Sequence, residues 1–357
     1  MDSFVPAEQH LRPDIPPTST PSPPVADPAV ARAWLDVERI TLTAVCAYTP
    51  SRGWPRHTIA LASTLFRYLD TGGHYPDAVI IHTHALHAAR YTGDRAAEAH
   101  TLSNLGPAYI WQSRYQQAAD HLQNALALSR ETGDRTSEAN ALDNLGLVYR
   151  RQCYFTQALN HHQQALALFR EIGHRSGEAH ALDYLGLVYR RQGYYPQAID
   201  HHQQALALFR EIGDRSGEAY VLTSLGALYQ RQDRYQQATE HHQQAGVLFG
   251  EIGERGGEAE ALNGIGEIQH ATGQLREARI QHTAALTLAI QIGERYEQAR
   301  AHNGLAHTHH ATGDPEQSRH HWRQALALYT DLDVPEADDI HAHLTALDQA
   351  TGDDNED

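Results

Sequence analysis

One spacing, a period of forty residues, constrains what this chain of 357 residues can fold into. A Gly-x-Arg triplet with Asp, Glu or His at its centre recurs at that interval, starting at Gly93, Gly133, Gly173, Gly213, Gly253 and Gly293. Segments 145–180 and 185–220 are identical at 29 of 36 positions. Periods of roughly 20 to 50 residues are typical of arrays whose repeats each pack on their neighbours. We therefore expect one repeat array, although the length alone would allow two or three domains.

Each period predicts two helices. In the period 135–174, apolar side chains recur at helical spacing up to Tyr149, and again from Ala158 onwards. Between these stretches, Cys153 occupies a turn position that is glycine in three later periods. The glycine of the triplet is suited to end the second helix, and a residue such as Asp134 can cap the next helix. One hairpin cannot bury its own apolar faces, so the hairpins are expected to stack.

Composition excludes several classes of function. All 28 basic residues other than histidine are Arg, because the sequence contains no Lys. Phosphate-binding loops of the G-x-x-x-x-G-K type and Schiff-base enzymes both need a Lys. The formal charge of −16 disfavours binding to nucleic acid, and no apolar run approaches the roughly 20 residues that span a bilayer. Two cysteines are too few for a disulfide framework, so we expect a reducing, cytoplasmic setting without a secretory signal.

No motif of a catalytic or metal site is found. The sequence lacks a G-x-S-x-G elbow and an H-E-x-x-H pair. The histidine pairs His161-His162, His201-His202 and His241-His242 are neighbours in sequence, which do not face each other on a helix. One histidine of each pair is expected to be half-buried, and the C-terminal histidines from His302 to His321 form no recognised metal motif. We therefore predict that the chain is not an enzyme and has no cofactor and no metal.

The pattern within one period resembles the tetratricopeptide repeat in its longer version of about forty residues. It consists of Leu145-Gly146-x-x-Tyr149, a turn, Phe155-x-x-Ala158 and then Ala165-Leu166. It is similar to the repeats of kinesin light chains and of bacterial peptide-sensing regulators. The resemblance implies an all-α fold, a right-handed superhelical solenoid of about seven helix-turn-helix repeats with capping helices at both ends. In this family the first helix of each pair lines the concave groove.

The predicted organisation follows from this array. A Pro-rich disordered linker is expected at 1–28, a capping helix at 29–54, the repeats at 55–333, a second capping helix at 334–350 and an acidic tail at 351–357. The seven units start near residues 55, 95, 135, 175, 215, 255 and 295. The linker followed by Ala33-Trp34-Leu35-Asp36 also resembles the C-terminal arm of actinobacterial antibiotic regulatory proteins of the NB-ARC (STAND) class. That resemblance implies a free-standing relative or a fragment, and no ATPase activity is carried over.

A Leu-Gly or Ile-Gly pair such as Leu145-Gly146 recurs in the first helix of successive repeats. Because the resemblance implies that first helices line the groove, it also implies that the residues just before each pair face a ligand. Carboxamides there can donate to and accept from a peptide backbone, whereas a solvated polar face without a ligand is the alternative. One turn later, five arginines of three consecutive repeats are expected on or near one face. They suit an acidic peptide or a C-terminal carboxylate, but they could equally complement helix C-termini. The candidate residues are Asn104, Asn144, Tyr184, Asn263 and Asn303, with Arg150, Arg151, Arg190, Arg191 and Arg231.

The predicted function is a non-catalytic scaffold that binds a protein or peptide, as the sensing or partner-binding arm of a bacterial regulatory system. The alternative is a self-association module that buries Leu147, Leu187 and Tyr184 against a second copy. The sequence leaves the oligomeric state and the identity of the partner open.

Overall fold

The forty-residue period becomes a succession of helix pairs. The computed structural model describes residues 27–353, which contain sixteen α-helices and no strand. The predicted all-α array of helical hairpins is thereby confirmed. The chain forms two compact units, one ending at Gly213 and the other starting at Asp214.

The helices of the first unit are α1 (Pro28–Tyr48), α2 (Pro55–Thr71), α3 (Tyr75–Thr92), α4 (Arg95–Trp111), α5 (Tyr115–Thr132), α6 (Arg135–Arg151), α7 (Phe155–Ile172), α8 (Arg175–Arg191) and α9 (Tyr195–Ile212). A short 3-10 helix, Pro50–Arg52, follows α1. The helices of the second unit are α10 (Arg215–Gln230), α11 (Tyr235–Ile252), α12 (Arg255–Ala271), α13 (Leu275–Ile292), α14 (Arg295–Ala311), α15 (Pro315–Asp331) and α16 (Glu336–Asp353).

The Gly-x-Arg triplet joins consecutive helix pairs. Its glycine adopts a left-handed conformation that ends the second helix, as Gly133 does with a φ of 71°. The central residue caps the next helix, and the Asp134 carboxylate accepts a hydrogen bond from the Ser137 N–H at 3.0 Å. The imidazole of His174 also caps its helix, accepting from the Gly177 N–H at 2.9 Å.

The arginine of the triplet connects the two helices of its own repeat. Arg135 at the start of α6 donates to Glu171 near the end of α7 at 2.7 Å and to Glu138 at 2.9 Å. Glu138 also accepts from Arg130 of the preceding helix α5 at 2.9 Å. Equivalent pairs occur in other repeats: Arg95–Glu131, Arg175–Glu211, Arg215–Glu251 and Arg295–Asp331. These arginines are therefore already paired within the protein.

The first helices of the repeats line the inner side of each unit. In the first unit, α4 packs against α6 and α6 against α8, and in the second unit α10 packs against α12 and α12 against α14. No comparable contacts join the second helices in the described part of the chain. Each unit therefore curves towards its first helices, since the array is shorter on the side where successive helices touch.

Helices α1 and α16 flank the repeats. Helix α1 packs on α2 and α3, and α16 packs on α15. The predicted linker lies outside the described residues except for its last two positions, and Pro28 already starts α1. Helix α16 continues to Asp353, into the expected acidic tail, and the last four residues lie outside the described range.

Candidate peptide-binding site

The inner face of the first unit holds the predicted residues of α4, α6 and α8. Asn144 and Tyr184 are half-buried, whereas Asn104 is only 8% exposed and offers little surface to a ligand. The Asn144 amide donates to the carbonyl of Ser103 at 3.4 Å, which links α6 to α4. The Tyr184 ring lies 5.4 Å from the His162 ring, and burial raises the pKa of the Tyr184 hydroxyl. Of the three predicted residues on this face, Asn144 and Tyr184 are therefore the two whose side chains a ligand could reach.

Arg150 is the most unusual of the predicted arginines. Its side chain is half-buried, it forms no ion pair with any described residue, and its Nε atom is buried without a hydrogen-bond partner. Burial, together with the neighbouring Arg151, lowers the pKa of Arg150 to about 10. Burial of a cation without an ion-pair partner has a cost in free energy.

The neighbouring arginines have different surroundings. The Arg151 guanidinium lies 4.3 Å from the centre of the Trp111 ring, a cation–π contact on the edge of the inner face. Arg190 is half-buried and Arg191 is exposed, one repeat further along. The helix period thus places four guanidinium groups at the ends of α6 and α8.

Beneath this face, helices α7 and α9 each bury one histidine. His162 and His202 are fully buried, deeper than the half-burial that the sequence predicted for one member of each pair. The His162 Nδ1 atom lies 2.6 Å from an Asp143 oxygen, and the His202 Nδ1 atom lies 2.8 Å from an Asp183 oxygen. In both repeats the histidine follows its aspartate by nineteen positions. The forty-residue repeat of this spacing could therefore have predicted the contact between the two side chains.

Glycine is required next to these histidines. A Cβ atom added to Gly146 would lie 2.6 Å from the His162 ring, and one added to Gly186 would lie 2.7 Å from the His202 ring. The other member of each pair stacks on a tyrosine, as His161 does on Tyr149 with the ring centres 5.1 Å apart. Both histidines of a pair therefore serve packing within the repeat.

In the second unit, the predicted residue Asn263 lies inside the protein. It is fully buried, and its amide donates to the Glu297 carboxylate at 2.9 Å and to the Glu297 carbonyl at 3.2 Å. Its oxygen lies 3.0 Å from the His282 Nδ1 atom. The polar atoms of Asn263 thus already have partners inside the protein, and its side chain offers no surface to a ligand. The Asn303 oxygen accepts from the Trp322 indole at 3.1 Å, and Arg231 is exposed at the end of α10.

The inner face of the second unit carries a charge network that sequence reasoning missed. Arg300 donates to both oxygens of Glu267, at 2.6 and 3.0 Å. Burial opposes ionisation of Glu267, but the Arg300 guanidinium outweighs it and lowers the Glu267 pKa to about 2. Burial raises the pKa of Glu297 to about 7, although Arg300 acts against it. Arg300 and Glu267 occupy different positions in successive repeats, so no single-repeat pattern reveals the pair.

The C-terminal histidines form contacts with one another and with Trp322. The Nδ1 atoms of His302 and His321 are 2.9 Å apart, and the ring of His343 stacks on Trp322. Within residues 27–353, no three His, Cys, Asp or Glu side chains are arranged so that they could hold a metal ion.

The repeat geometry agrees with the sequence comparison. The tetratricopeptide repeat model matches residues 97–171, 177–245 and 257–331, which together make up more than half of the chain. The chain belongs to the tetratricopeptide repeat family. No curated protein matches it.

Several solved structures share the fold of this tetratricopeptide repeat protein. A STAND protein with a tetratricopeptide repeat sensor from Pyrococcus horikoshii is 17% identical, with a TM-score of 0.63 over 88% of this chain. The match spans 50% of that protein. A Rap protein complexed with competence and sporulation factor is 13% identical, with a TM-score of 0.57, and the match covers 91% of this chain and 99% of that one. BtubC (BKLC) from P. vanneervenii is 17% identical, with a TM-score of 0.54, covering 61% and 92%.

Between residues 27 and 353, no helix combines the length and the apolar character that a bilayer span requires.

Proposed function

We propose that this protein is a non-catalytic scaffold whose first unit binds an acidic segment of a partner protein along its inner face. Arg150 is the observation that carries this proposal. Its guanidinium is half-buried and has no ion pair among the described residues. A carboxylate from a ligand would supply the missing charge, and Arg suits a carboxylate because both of its N–H edges can donate.

The neighbouring residues give each part of such a ligand a contact. Arg150 and Arg190 occupy the same position in adjacent repeats, on the order of 10 Å apart. In an extended segment this separation corresponds to about three residues. Asn144 can bond the ligand backbone, and Tyr184 offers a ring beside it. Arg151 and Arg191 lie at the edge of the face, where they would attract acidic side chains.

The likeness to regulatory proteins supports a role in signalling. One of the similar structures contains a bound competence and sporulation factor, and another uses its tetratricopeptide repeats as a sensor in a STAND protein. We infer that this chain is the sensing or partner-binding arm of a bacterial regulatory system in the cytoplasm. In this role the chain provides recognition and carries out no reaction.

Fluorescence anisotropy with a labelled hexaglutamate peptide tests the proposal. The full chain should bind hexaglutamate and should not bind hexaglutamine of the same length. Amidation of the hexaglutamate C-terminus separates recognition of the terminal carboxylate from recognition of side chains. Arg150→Glu combined with Arg190→Glu should weaken binding by at least about 100-fold, because two attractions become repulsions.

A matched control keeps this test specific. Arg276→Glu with Arg279→Glu makes the same change of charge on exposed residues of α13. This double variant should keep most of the affinity, and circular dichroism should show equal helical content in all variants. Equal losses in both pairs, or no loss in either, would contradict a site at Arg150 and Arg190.

The inner face is less suited to self-association. Leu147, one of the residues considered for that role, is only 5% exposed and packs within the core of its own unit. A second copy therefore cannot bury it.

A further inference from the structure

Helix α1 has two apolar faces, and only one is used within its unit. Leu35 and Cys46 are buried against α2 and α3. The exposed apolar residues of the other face are Val30 (49% exposed), Trp34 (38%), Val37 (77%), Ile40 (78%), Val45 (39%) and Tyr48 (57%). Their spacing of three, four, seven and eight residues places them in one stripe along the helix.

Glu38, which is half-buried, borders this stripe, and the charged residues nearest to it lie on another side of the helix. Asp36 and Arg39 lie on the side that faces the repeats, where Asp36 accepts from the Tyr68 hydroxyl at 2.7 Å and Arg39 lies 3.1 Å from Asp77. By comparison, the exposed residues of α7 include Asn160 and three glutamines. Single exposed apolar residues are normal, but a continuous apolar stripe marks an interaction surface.

We propose that this stripe is a dimer contact, in which α1 packs antiparallel against α1 of a second copy of the chain. A two-fold contact uses the same surface on both copies, so the stripe must be complementary to itself. An antiparallel pair centred near Arg39 places Val30 opposite Tyr48 and Trp34 opposite Ala44. Each large ring then faces a smaller side chain. A parallel pair would place Trp34 against Trp34 and Tyr48 against Tyr48.

Charges at the two ends of the stripe favour the same arrangement. Asp27 lies at the start of α1 and is exposed, whereas Arg52 follows its end, with its guanidinium 4.9 Å from the centre of the Tyr48 ring. An antiparallel pair brings Asp27 of each copy towards Arg52 of the other. A parallel pair would bring like charges together. This complementarity selects a second copy over an unrelated apolar partner.

The dimer contact is independent of the inner face and of the proposed acidic ligand. Sedimentation velocity of the full chain, at concentrations from micromolar to about a hundred micromolar, should show a species of twice 39.7 kDa. Val37→Glu combined with Ile40→Glu should weaken this association by about 100-fold or more, since both charges would be buried in the contact. The control is Val247→Glu with Ile280→Glu, which changes residues 62% and 64% exposed in the second unit. It should leave the mass unchanged.

Cross-linking tests the direction of the helices. In a Cys153→Ser background, Val30→Cys combined with Tyr48→Cys should form a covalent dimer on oxidation, whereas Val30→Cys alone should not. Circular dichroism checks that every variant keeps the helical content of the parent chain.

Three results would overturn the proposal. The first is a chain that stays monomeric throughout the concentration range. The second is a dimer that the Val37 and Ile40 changes leave intact. The third is a dimer that forms only after residues 1–26 are removed, since that segment would then be the occupant of the stripe.

Discussion

The two units bury a histidine at the same repeat position but give it different partners. In the first unit, His162 meets the carboxylate of Asp143, whereas in the second unit His282 meets the carboxamide of Asn263. The second unit places its charges nearby, in the Glu267–Arg300 pair. Its inner-face charges are therefore balanced internally. The first unit instead leaves Arg150 without an ion pair among the described residues, and the proposed acidic ligand would supply the missing charge.

Removal of one arginine from each unit tests this contrast most directly. Arg300→Met should lower the free energy of unfolding by roughly 3 kcal/mol at neutral pH, because Glu267 and Glu297 would remain in a half-buried site without a cation. Arg150→Met should change it by less than about 1 kcal/mol, since no ion pair is broken. Urea unfolding followed by circular dichroism measures both. Similar losses would mean that the two arginines have equivalent roles.

The pH dependence of that difference follows from Glu267. Its pKa is lowered from 4.5 to about 2 in the folded chain, by Arg300 against the effect of burial. A lowered carboxyl pKa contributes stability that is present above pH 4.5 and is lost as the pH falls through 2. The difference in the free energy of unfolding between the parent chain and Arg300→Met should therefore decrease as the pH falls from 4.5 to 2.

An exchange of the two histidine partners should have unequal effects. Asn263→Asp should cost about 2 kcal/mol, because it removes the amide that donates to Glu297 and adds a second carboxylate beside it. Asp143→Asn keeps an oxygen for His162 and should cost less than about 1 kcal/mol. Thermal unfolding of both variants provides the comparison. If Asn263→Asp were the milder change, the hydrogen bond from the Asn263 amide to Glu297 would not contribute to stability.

Replacement of a buried histidine by leucine should have opposite signs in the two units. Both ring nitrogens of His242 are buried without a hydrogen-bond partner, and Leu122 occupies the equivalent position in the first unit. His242→Leu should therefore stabilise the chain by about 1 kcal/mol. His162→Leu should destabilise it by about 1 to 2 kcal/mol, since Asp143 would lose its partner.

The contribution of His242 to the free energy of unfolding should also depend on pH. Burial, with Arg300, lowers the His242 pKa from 6.5 to about 4, so the folded chain favours the neutral ring. That contribution is present above pH 6.5 and is lost as the pH falls through 4. Unfolding free energies measured between pH 7 and 4 should fall less steeply in His242→Leu than in the parent chain. A steeper fall in the variant would contradict the assigned direction.

The repeats could be predicted from the sequence because one local pattern occurs in seven successive units. Gly133 and Asp134 determine a helix end and a cap through their own backbone and side chain, so their roles need no distant partner. The buried state of Asn263 could not be predicted in this way. It depends on Glu297, which lies in the next repeat, and on the packing of α12 against α14. The Arg300–Glu267 pair likewise joins two positions that differ between repeats.

The smallest expected effect concerns the turn inside the helix pair, where the two units also differ. Cys153 has a φ of 62° in the first unit, while Gly273 has a φ of 79° at the same position in the second. A side chain is strained in this left-handed region, and glycine is not. Cys153→Gly should therefore raise the free energy of unfolding by about 0.5 to 1 kcal/mol, and Gly273→Ala should lower it by about 1 kcal/mol. Urea midpoints measure both changes, and a loss of stability in Cys153→Gly would show that the thiol makes a favourable contact that offsets the backbone strain.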